Sequence, residues 1–312
     1  MNDYKIKNMM TKTDSYRDNF QNYLRGNDPA AVHLKDGMQT ETGSYAFPDM
    51  SASRCDSAIS AKSVIRRLAT VYSSFTGASQ ILAADSDDIV SFVAEGYPIP
   101  VKDTANDFSK ITVGRYKLAS ILRMTTEFAT DAAFDLESFL TKRIGRAFAG
   151  AEDKAFITGT GTNEPTGILH STAGAETGVT TASLTFEKVI ELFFSVDKKY
   201  REDAVWLMND STAEALRKLQ DDNGNYLWNH FNDTILGKKV FISEYMPDAD
   251  AGECPIAFGD FSYYWIIRRS PVSVKVLREL YSLTGRIGYM IFEFLDGKLV
   301  RRDAVKVLKL SE

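Results

Sequence analysis

Residues 134–157 constrain the fold of this chain more than any other stretch. Over these 24 positions the apolar residues follow the spacing i, i+3, i+4, i+8, i+11 and i+12, which predicts one amphipathic helix about 36 Å long. Its apolar face consists of Leu136, Phe139, Leu140, Ile144, Ala147, Phe148, Ala151, Ala155 and Phe156. Gly159 and Gly161 predict the end of the helix. Because such a rod is as long as a small domain is wide, the other elements must be arranged along it.

A long β-hairpin is predicted between residues 85 and 128. Asp88–Val93 has the pattern of one strand and Phe108–Met124 that of the other, with a polar, turn-rich segment between them. The alternation of the second strand changes phase at Gly114 and Arg115, which predicts a bulge or a change of environment. The tip has few apolar residues and cannot form a core of its own. We therefore expect the hairpin to project from the body and to need support from another surface.

Residues 1–58 are polar and differ from the rest of the chain. They contain one helical pattern, Ser15–Arg25, which Gly26 should end. We expect an extended arm that becomes ordered only by docking.

The rest of the sequence predicts two more helices and a strand-rich last third. The helices are Phe186–Tyr200, capped by Thr185, and one that starts at Asn209–Ser211 with a capping box over Ser211–Glu214. The clearest strands are Val272–Val276 and Leu299–Leu310. A hairpin, then helices, then many strands indicates an α+β fold rather than repeated βαβ units.

The composition restricts the cellular location of such a chain and the partners that it can bind. The 312 residues carry a formal net charge of −5, and the length suggests about two domains. The longest apolar runs have five residues, whereas a membrane-spanning helix needs about 20, and Met1–Met10 has no signal-peptide pattern. We expect a protein kept in the cytoplasm, away from membranes, with Cys55 and Cys254 reduced. The acidic balance argues against a surface that grips nucleic acid.

No pattern typical of a catalytic or cofactor site appears. His33, His170 and His230 each stand alone, without a partner at triad or metal-ligand spacing. Residues 159–161 begin like a dinucleotide fingerprint, but Glu164 replaces its third glycine and a helix precedes it instead of a strand. We therefore predict no catalytic residue, no cofactor site and no enzyme.

The charged clusters also have ordinary explanations. The acidic runs at 85–88 and 248–250 lack the spacing of an EF-hand loop, so we predict solvated loops and no metal site. Arginine pairs stand at 66–67, 268–269 and 301–302. If these pairs lie in strands, each puts at most one arginine on a given face, which favours salt bridges to a neighbouring surface over nucleic-acid binding.

A polar arm, a projecting hairpin and a long rod suit a chain that is ordered by neighbouring copies. These elements in this order resemble the major capsid proteins of tailed double-stranded DNA bacteriophages, which have the Hong Kong 97-type capsid fold. The most specific stretch is Phe156–Leu169, where a helix ends in Gly-x-Gly-x-x-x-Pro-x-Gly-Ile-Leu, similar to the end of the family's spine helix. Tyr45–Pro48, Asp221–Trp228 and Ile256–Phe261 are similar to further family segments, and the resemblance covers roughly residues 40–310.

The resemblance implies four parts. Residues 1–58 would be the N-terminal arm and 84–118 the extended loop. Residues 182–270 would be the axial domain, near five- and six-fold axes. The peripheral domain, near three-fold contacts, would comprise 59–83, 119–181 and 271–312, with the spine helix at about 134–157.

The resemblance also implies subunit contacts and partners. The candidate interface residues are Gly96, Tyr97, Pro98, Lys102, Asp103, Arg115, Arg268 and Arg301. Some members crosslink a loop lysine to an asparagine, but here Gly96 and Thr284 or Gly285 occupy those positions, so no crosslink is expected.

The resemblance makes the chain a shell subunit that forms pentamers and hexamers in the virion and assembles in the host bacterial cytoplasm. Its candidate partners are a portal protein, a scaffold, a decoration protein and, by weak non-specific contact, packaged double-stranded DNA. The same fold also forms gene-transfer particles and encapsulin-type compartments, which remain alternatives.

Overall fold

The computed structural model describes residues 14–25, 39–41, 44–73, 80–84, 93, 108–131, 134–220, 224–226, 228–229 and 234–311. The helices are α1 Asp14–Arg25, α2 Asp49–Lys62, α3 Val64–Leu68, α4 Thr126–Thr130, α5 Leu136–Thr158, α6 Phe186–Ser195, α7 Lys198–Arg201 and α8 Asp210–Arg217. The strands are β1 Gln39–Glu41, β2 Ser44–Ala46, β3 Thr70–Ser73, β4 Gln80–Ala84, β5 Phe108–Thr112, β6 Tyr116–Thr125, β7 Glu176–Thr181, β8 Val205–Met208, β9 Trp228–Asn229, β10 Thr234–Ile235, β11 Lys238–Ile242, β12 Ile256–Gly259, β13 Tyr264–Arg268, β14 Ser273–Leu277, β15 Arg286–Leu299 and β16 Val305–Leu310. Short 3-10 turns lie at Phe261–Tyr263, Glu279–Thr284 and Arg302–Ala304. The predicted α+β class is confirmed.

The first large sheet is built around β15. Its strands run in the order β1-β2-β14-β15-β13-β3, and β6 pairs with the other edge of β15 over ten residue pairs. The helices α1, α2 and α5 cover one face of this sheet, and their apolar side chains form a common core with it. Sheet one and its helices thus make one packed body.

Helix α5 confirms the predicted rod almost to the residue. Asp135 caps it, because its Oδ1 accepts a hydrogen bond from the Ser138 amide at 3.1 Å. Its apolar face buries Leu140, Ile144 and Phe148. The helix ends at Gly159, whose N–H still bonds the Ala155 carbonyl but whose backbone is extended. The long apolar period and the glycine stop were enough to place this element.

The first two helices of the chain also pack into this core. In α1, Phe20 and Leu24 are fully buried, and the Tyr16 hydroxyl donates to the Ala46 carbonyl at 2.8 Å. Helix α2 runs along α5. The prediction that residues 1–58 form only an arm is therefore wrong for α1 and for 44–58. The few apolar residues of α1 lie on one face of the helix. This face is large enough to pack against the subunit's own core.

The crossing of α2 and α5 leaves no room for a side chain at Gly145. A Cβ there would lie 2.6 Å from the Ala58 Cβ, whereas a Cβ at Gly150 would meet only the Tyr245 hydroxyl oxygen, at 2.7 Å. We expect Gly145→Ala to lower the free energy of unfolding by about 1–3 kcal/mol through overpacking. Gly150→Ala is the matched control on the same helix. It should be neutral or stabilising by up to about 1 kcal/mol, because alanine favours the helix and the tyrosine tip can move. Equal effects in urea unfolding would contradict the close-crossing explanation.

The second large sheet has the order β7-β16-β12-β8-β11-β10-β9. Helices α6 and α8 contribute to its core, in which the rings of Phe193, Trp206 and Phe258 stack with centroids 4.1–6.5 Å apart. A third apolar cluster is shared between this sheet, α5 and sheet one. The two sheets are therefore joined through the C-terminal part of α5.

The sheets do not follow the domain boundaries that the sequence suggested. β7 and β16 were assigned to the peripheral domain but pair in the second sheet. β13 was assigned to the axial domain but pairs with β15 and β3 in the first. Strand patterns reveal which side chains are buried but not which sheet supplies the neighbouring strand, so these assignments needed the structure.

The base of a hairpin is formed by β4 and β5, and β4 lies ahead of the strand predicted at Asp88–Val93. β4 and β5 pair antiparallel and form a two-stranded sheet apart from the two large ones. The single strand predicted over Phe108–Met124 is two strands, since β5 pairs with β4 whereas β6 pairs with β15 in sheet one, and the break at residues 113–115 falls at the change of phase. Most of the strand predicted at Asp88–Val93, and the hairpin tip, lie outside the described residues.

Three local predictions need correction. The helix predicted over Phe186–Tyr200 breaks after Ser195, because Val196 takes an extended backbone and is fully buried. Helix α8 is capped by Asn209 through the Thr212 amide at 2.8 Å, so there is no capping box starting at Ser211. The strand predicted over Leu299–Leu310 is two strands, β15 and β16, which belong to different sheets. Thr185 does cap α6 through the Lys188 amide, as predicted.

Candidate functional site

Five charged side chains meet inside the subunit where α2, α3, α5, β13 and β15 converge. Arg66 donates from Nε and Nη2 to the two carboxylate oxygens of Glu152, at 2.7 and 2.8 Å. Arg268 donates from Nη1 to Asp56 Oδ2 at 2.8 Å. Glu293 lies between the two arginines, with its oxygens 3.7 Å from Arg66 Nη2 and 3.4 Å from Arg268 Nε. We call these five residues the buried charge cluster.

Three of the five members of the cluster are sealed from solvent, whereas the Asp56 side chain is 34% exposed. The side chains of Arg66, Glu152 and Glu293 are 2%, 0% and 0% exposed, so no substrate can reach them. Burial raises the pKa of Glu152 well above its usual range, and the charge of Glu293 adds to that rise while Arg66 opposes it. Three carboxyl groups face two guanidinium groups, so the cluster links the three helices to sheet one by ion pairs.

Asp153 adds hydrogen bonds from α5 to the start of α3. Its carboxylate accepts the backbone N–H groups of Val64 at 2.8 Å and Ile65 at 3.1 Å, and the Ser63 hydroxyl at 2.5 Å. It thus caps the first turn of α3 from another element. Burial raises the pKa of Asp153, and these hydrogen bonds oppose the rise. Two adjacent acidic residues of α5 therefore both bind α3, and Arg66 of α3 in turn reaches Glu293 of the sheet.

The arginine pairs are not placed as the strand argument supposed. Arg66 and Arg67 lie in a helix, and Arg268 is 9% exposed with its ion pairs inside the subunit. Arg268 is an interface candidate only if its side chain faces outward from the strand. In the structure this side chain faces inward. Sequence pattern could not distinguish a buried arginine from a surface one, because its carboxylate partners are 212 and 25 residues away.

The other interface candidates fall into two groups. Arg115 is exposed, with its guanidinium carbon 3.9 Å from the centroid of the Phe294 ring, and Arg301 is half-buried. Gly96, Tyr97, Pro98, Lys102 and Asp103 lie outside the described residues. Their role remains a prediction.

Large apolar side chains stand exposed at the connection between β14 and β15 and on α6. Leu283 is fully exposed, Leu280 is 68% exposed and Phe194 is 63% exposed. Exposed apolar groups on a well-packed body are typical of contact surfaces. The exposure of Leu280 and Leu283 has no signal in the sequence, because they lie in a short 3-10 turn without a regular apolar period.

The described residues that the sequence offered as catalytic or dinucleotide-binding candidates make hydrogen bonds within the subunit. His170 Nδ1 accepts the amides of Thr172 and Ala173, so it closes a turn. The Gly161 carbonyl accepts the Tyr116 hydroxyl, and the Thr160 amide donates to Glu164 Oε1, so this loop bonds itself instead of a phosphate. His33 and His230 lie outside the described residues.

The acidic runs do not make a metal site in the part of the chain that the structure describes. Asp248 accepts Asn209 Nδ2 at 2.7 Å and the Ser211 hydroxyl, which ties a loop to the start of α8. No group of three or more potential metal ligands occurs among the described residues. The run at 85–88 lies outside the described residues.

The two thiols should differ in reactivity. Burial, with Glu293 and Asp56 nearby, raises the pKa of Cys55 to about 12, and Cys55 is 1% exposed. Cys254 is only partly buried. At pH 8 we expect iodoacetamide to label Cys254 in the folded protein and Cys55 only after denaturation, as read by peptide mass spectrometry. Because the folded pKa of Cys55 is raised, its contribution to stability should be present below about pH 9 and be lost as the pH rises towards 12. Equal labelling of both thiols would show that Cys55 is accessible.

None of the helices in the described residues combines the length and the apolar character that crossing a membrane requires.

Comparison with known proteins matches residues 43–310 to a family model described as the phage capsid family. The capsid polyprotein of Pseudomonas phage PAJU2 is 28% identical over 173 residues, which cover 52% of this chain and 25% of the relative. The major capsid protein of Escherichia phage T5 is 29% identical over 207 residues, which cover 58% of this chain and 43% of the relative. The matched regions thus span less than half the length of these curated relatives.

A solved structure shows the same fold over most of both chains. It is the capsid of an empty GTA particle computed with C5 symmetry, with a TM-score of 0.67 and 29% sequence identity, and the match covers 80% of this chain and 90% of that chain. The fold predicted from the resemblance is thereby confirmed.

Proposed function

Because the chain belongs to the phage capsid family, we propose that it is a major capsid protein whose copies assemble, as pentamers and hexamers, into an icosahedral shell around a double-stranded DNA genome. The observation that carries this proposal is the family match over residues 43–310, which spans both sheets, α5 and the hairpin. The buried charge cluster supports it, since the subunit's most unusual interior feature serves cohesion and not chemistry.

The surface of the subunit fits repeated contact with other copies. The exposed Leu280 and Leu283 stand at one end of sheet one, and the hairpin base β4–β5 is separate from both large sheets. Each contact can be modest, because every subunit would meet several neighbours at once. We infer that sheet one with α5 forms the peripheral part, near three-fold contacts, and that sheet two forms the axial part, near the five- and six-fold axes.

The finer features of this function are proposals as well. We infer a portal protein, a scaffold and a decoration protein as partners, weak contact with packaged DNA, assembly in the host cytoplasm and a final place in the virion. No enzymatic step belongs to this role. With Gly96 in place of the loop lysine, the shell would be held by non-covalent contacts.

A second candidate is the shell of a gene-transfer particle, which would use the same subunit chemistry. The observation that favours it is the 29% identity to the capsid of a GTA particle. An encapsulin-type compartment is the remaining alternative, and it would enclose protein instead of DNA.

The test is negative-stain electron microscopy of the protein expressed alone, with absorbance at 260 and 280 nm of the particle fraction. We expect closed shells of tens of nanometres that are free of DNA, since packaging needs a portal and a motor. Shells filled with a protein cargo would favour the compartment. A protein that stays monomeric under all conditions, even with scaffold supplied, would refute the proposal.

A further inference from the structure

Side chains from the ends of β13 and β15 bind the backbone at the junction between β5 and β6. Asp296 Oδ2 accepts a hydrogen bond from the Gly114 amide at 2.6 Å. Arg269, which directly follows β13, donates from Nη2 to the Val113 carbonyl at 2.9 Å and from Nε to the Gly114 carbonyl at 3.3 Å. The chain is thus held at the point where it leaves the hairpin and enters sheet one.

Lys298 binds the residue before this pair. Its Nζ donates to the carbonyl of Thr112, the last residue of β5, at 2.8 Å. Three side chains of the body therefore bind backbone groups of three consecutive residues of the junction. We call these three side chains the junction clamp: Arg269, Asp296 and Lys298.

The register of sheet one explains why side chains make these bonds. The last residue pair between β6 and β15 is Tyr116 with Leu295, whereas β15 continues to Leu299. Residues 113–115 lie in no strand. Because backbone N–H and C=O groups away from water need hydrogen-bond partners, side chains beyond the end of the β6 pairing supply them.

The junction clamp is itself fixed to sheet one. The backbone of Asp296 pairs with Ile267 of β13, its side chain is buried, and its Oδ1 accepts the Gly297 amide at 2.8 Å. The Arg269 amide donates to the Phe294 carbonyl at 2.7 Å. Hydrogen bonds to an ionised group are short and strong, so a carboxylate bound through both oxygens holds its partners in one geometry.

Strand pairing does not set the direction of the hairpin. Among the described strands, β4 and β5 pair only with each other. Gly114 lies in the middle of the junction, and glycine has the widest choice of backbone conformations. Without the side-chain bonds, this connection would be free to bend.

We propose that the junction clamp fixes the direction in which the hairpin leaves the body, and that shell assembly requires this fixed direction. The second part of this inference rests on the proposed shell function. A projecting element that is held in one orientation loses less freedom when it meets a neighbouring surface, so a fixed junction favours association.

The test measures how freely the hairpin moves in the unassembled subunit. In a Cys254→Ser background, nitroxide labels at Ser109→Cys in β5 and Lys239→Cys in sheet two report the distance between hairpin and body by double electron–electron resonance. We expect Asp296→Asn and Lys298→Met each to widen this distance distribution about twofold, because each removes a bond to the junction. An unchanged width in Lys298→Met overturns the proposal. This half-buried side chain can be replaced without opening the core, so the result stands even if Asp296→Asn fails to fold.

Two controls separate the junction from the rest of the subunit. Asp197→Asn changes an exposed aspartate that makes no side-chain bond at the start of α7, and the width should stay the same. A second label pair, Lys142→Cys with Lys239→Cys, lies within the body and should keep its width in every variant. If this pair widens as well, the substitution loosens the whole body and the proposal is wrong.

Assembly distinguishes this inference from the proposed function. Electron microscopy should show at least fivefold fewer closed shells for Lys298→Met than for the original protein, with an unchanged urea midpoint. Normal shells from a variant with the wider distribution would refute the requirement for a fixed direction and leave the proposed function intact. If the original protein never forms shells, the proposed function fails, and the distance distribution still decides whether the junction clamp fixes the hairpin.

Discussion

Arg66→Met is expected to lower the free energy of unfolding of the subunit by about 3–5 kcal/mol, as measured by urea unfolding of the unassembled protein. The substitution keeps much of the volume of the side chain but removes its charge. Glu152 then loses both charge-assisted hydrogen bonds, and Glu293 loses one of its two cationic neighbours. Buried carboxylates without a partner are costly, because the interior cannot replace water around them.

The loss should depend on pH in a definite direction. Burial already raises the pKa of Glu152, and removing Arg66 removes the charge that opposes this rise. A carboxyl group whose pKa is raised on folding stabilises the protein at low pH and loses that contribution as the pH rises. The deficit of Arg66→Met should therefore be smaller at pH 5 than at pH 8.

The neighbouring arginine provides the control for this prediction. Arg67→Met changes the same residue type one position along α3, but Arg67 is exposed, so the cost should stay within about 0.5 kcal/mol. Adding Glu152→Gln to Arg66→Met should recover part of the loss by removing the stranded charge. Similar losses for Arg66→Met and Arg67→Met would show that the cluster does not tie the helices to the sheet.

Deleting residues 97–106 is expected to abolish closed shells while leaving the subunit folded. The deletion shortens the hairpin between β4 and β5 and leaves both large sheets untouched. Circular dichroism and the urea midpoint should stay close to those of the full chain. Electron microscopy should show free subunits, free pentamers and hexamers or open fragments instead of closed particles. Normal shells from this variant would refute the role of the hairpin in assembly.

The sequence was most informative where one period runs without interruption. The apolar face of α5 and the change of phase before β6 are local patterns: the first placed the helix, and the second marks where the predicted strand divides into β5 and β6. The resemblance at Phe156–Leu169 then identified the fold, because this turn follows the end of the long helix. The backbone bonds across the turn, from the Gly167 amide to Gly159 and from the Ile168 amide to Phe156, show why glycine and a fixed spacing are needed there.

Long-range pairings could not be read from the sequence. The buried charge cluster joins residues from five elements, and no local pattern indicates that Arg66 will meet Glu152 or that Arg268 will meet Asp56. The sheet that receives β16 was likewise undetermined, since the alternation of a strand fixes its faces and not its neighbours.

The position of β15 and β16 has a consequence for how the subunit is made. β15 holds β6 on one edge and β13 and β14 on the other, and β16 lies between β7 and β12. Sheet one cannot close until residue 299 has left the ribosome, and sheet two not until residue 310, so the growing chain must carry unpaired strand edges through most of its synthesis. A prematurely terminated chain would lack the strands that complete both sheets and would offer no finished surface to a growing particle. Because of this strand order, only a chain synthesised through β16 can complete both sheets and join a growing particle.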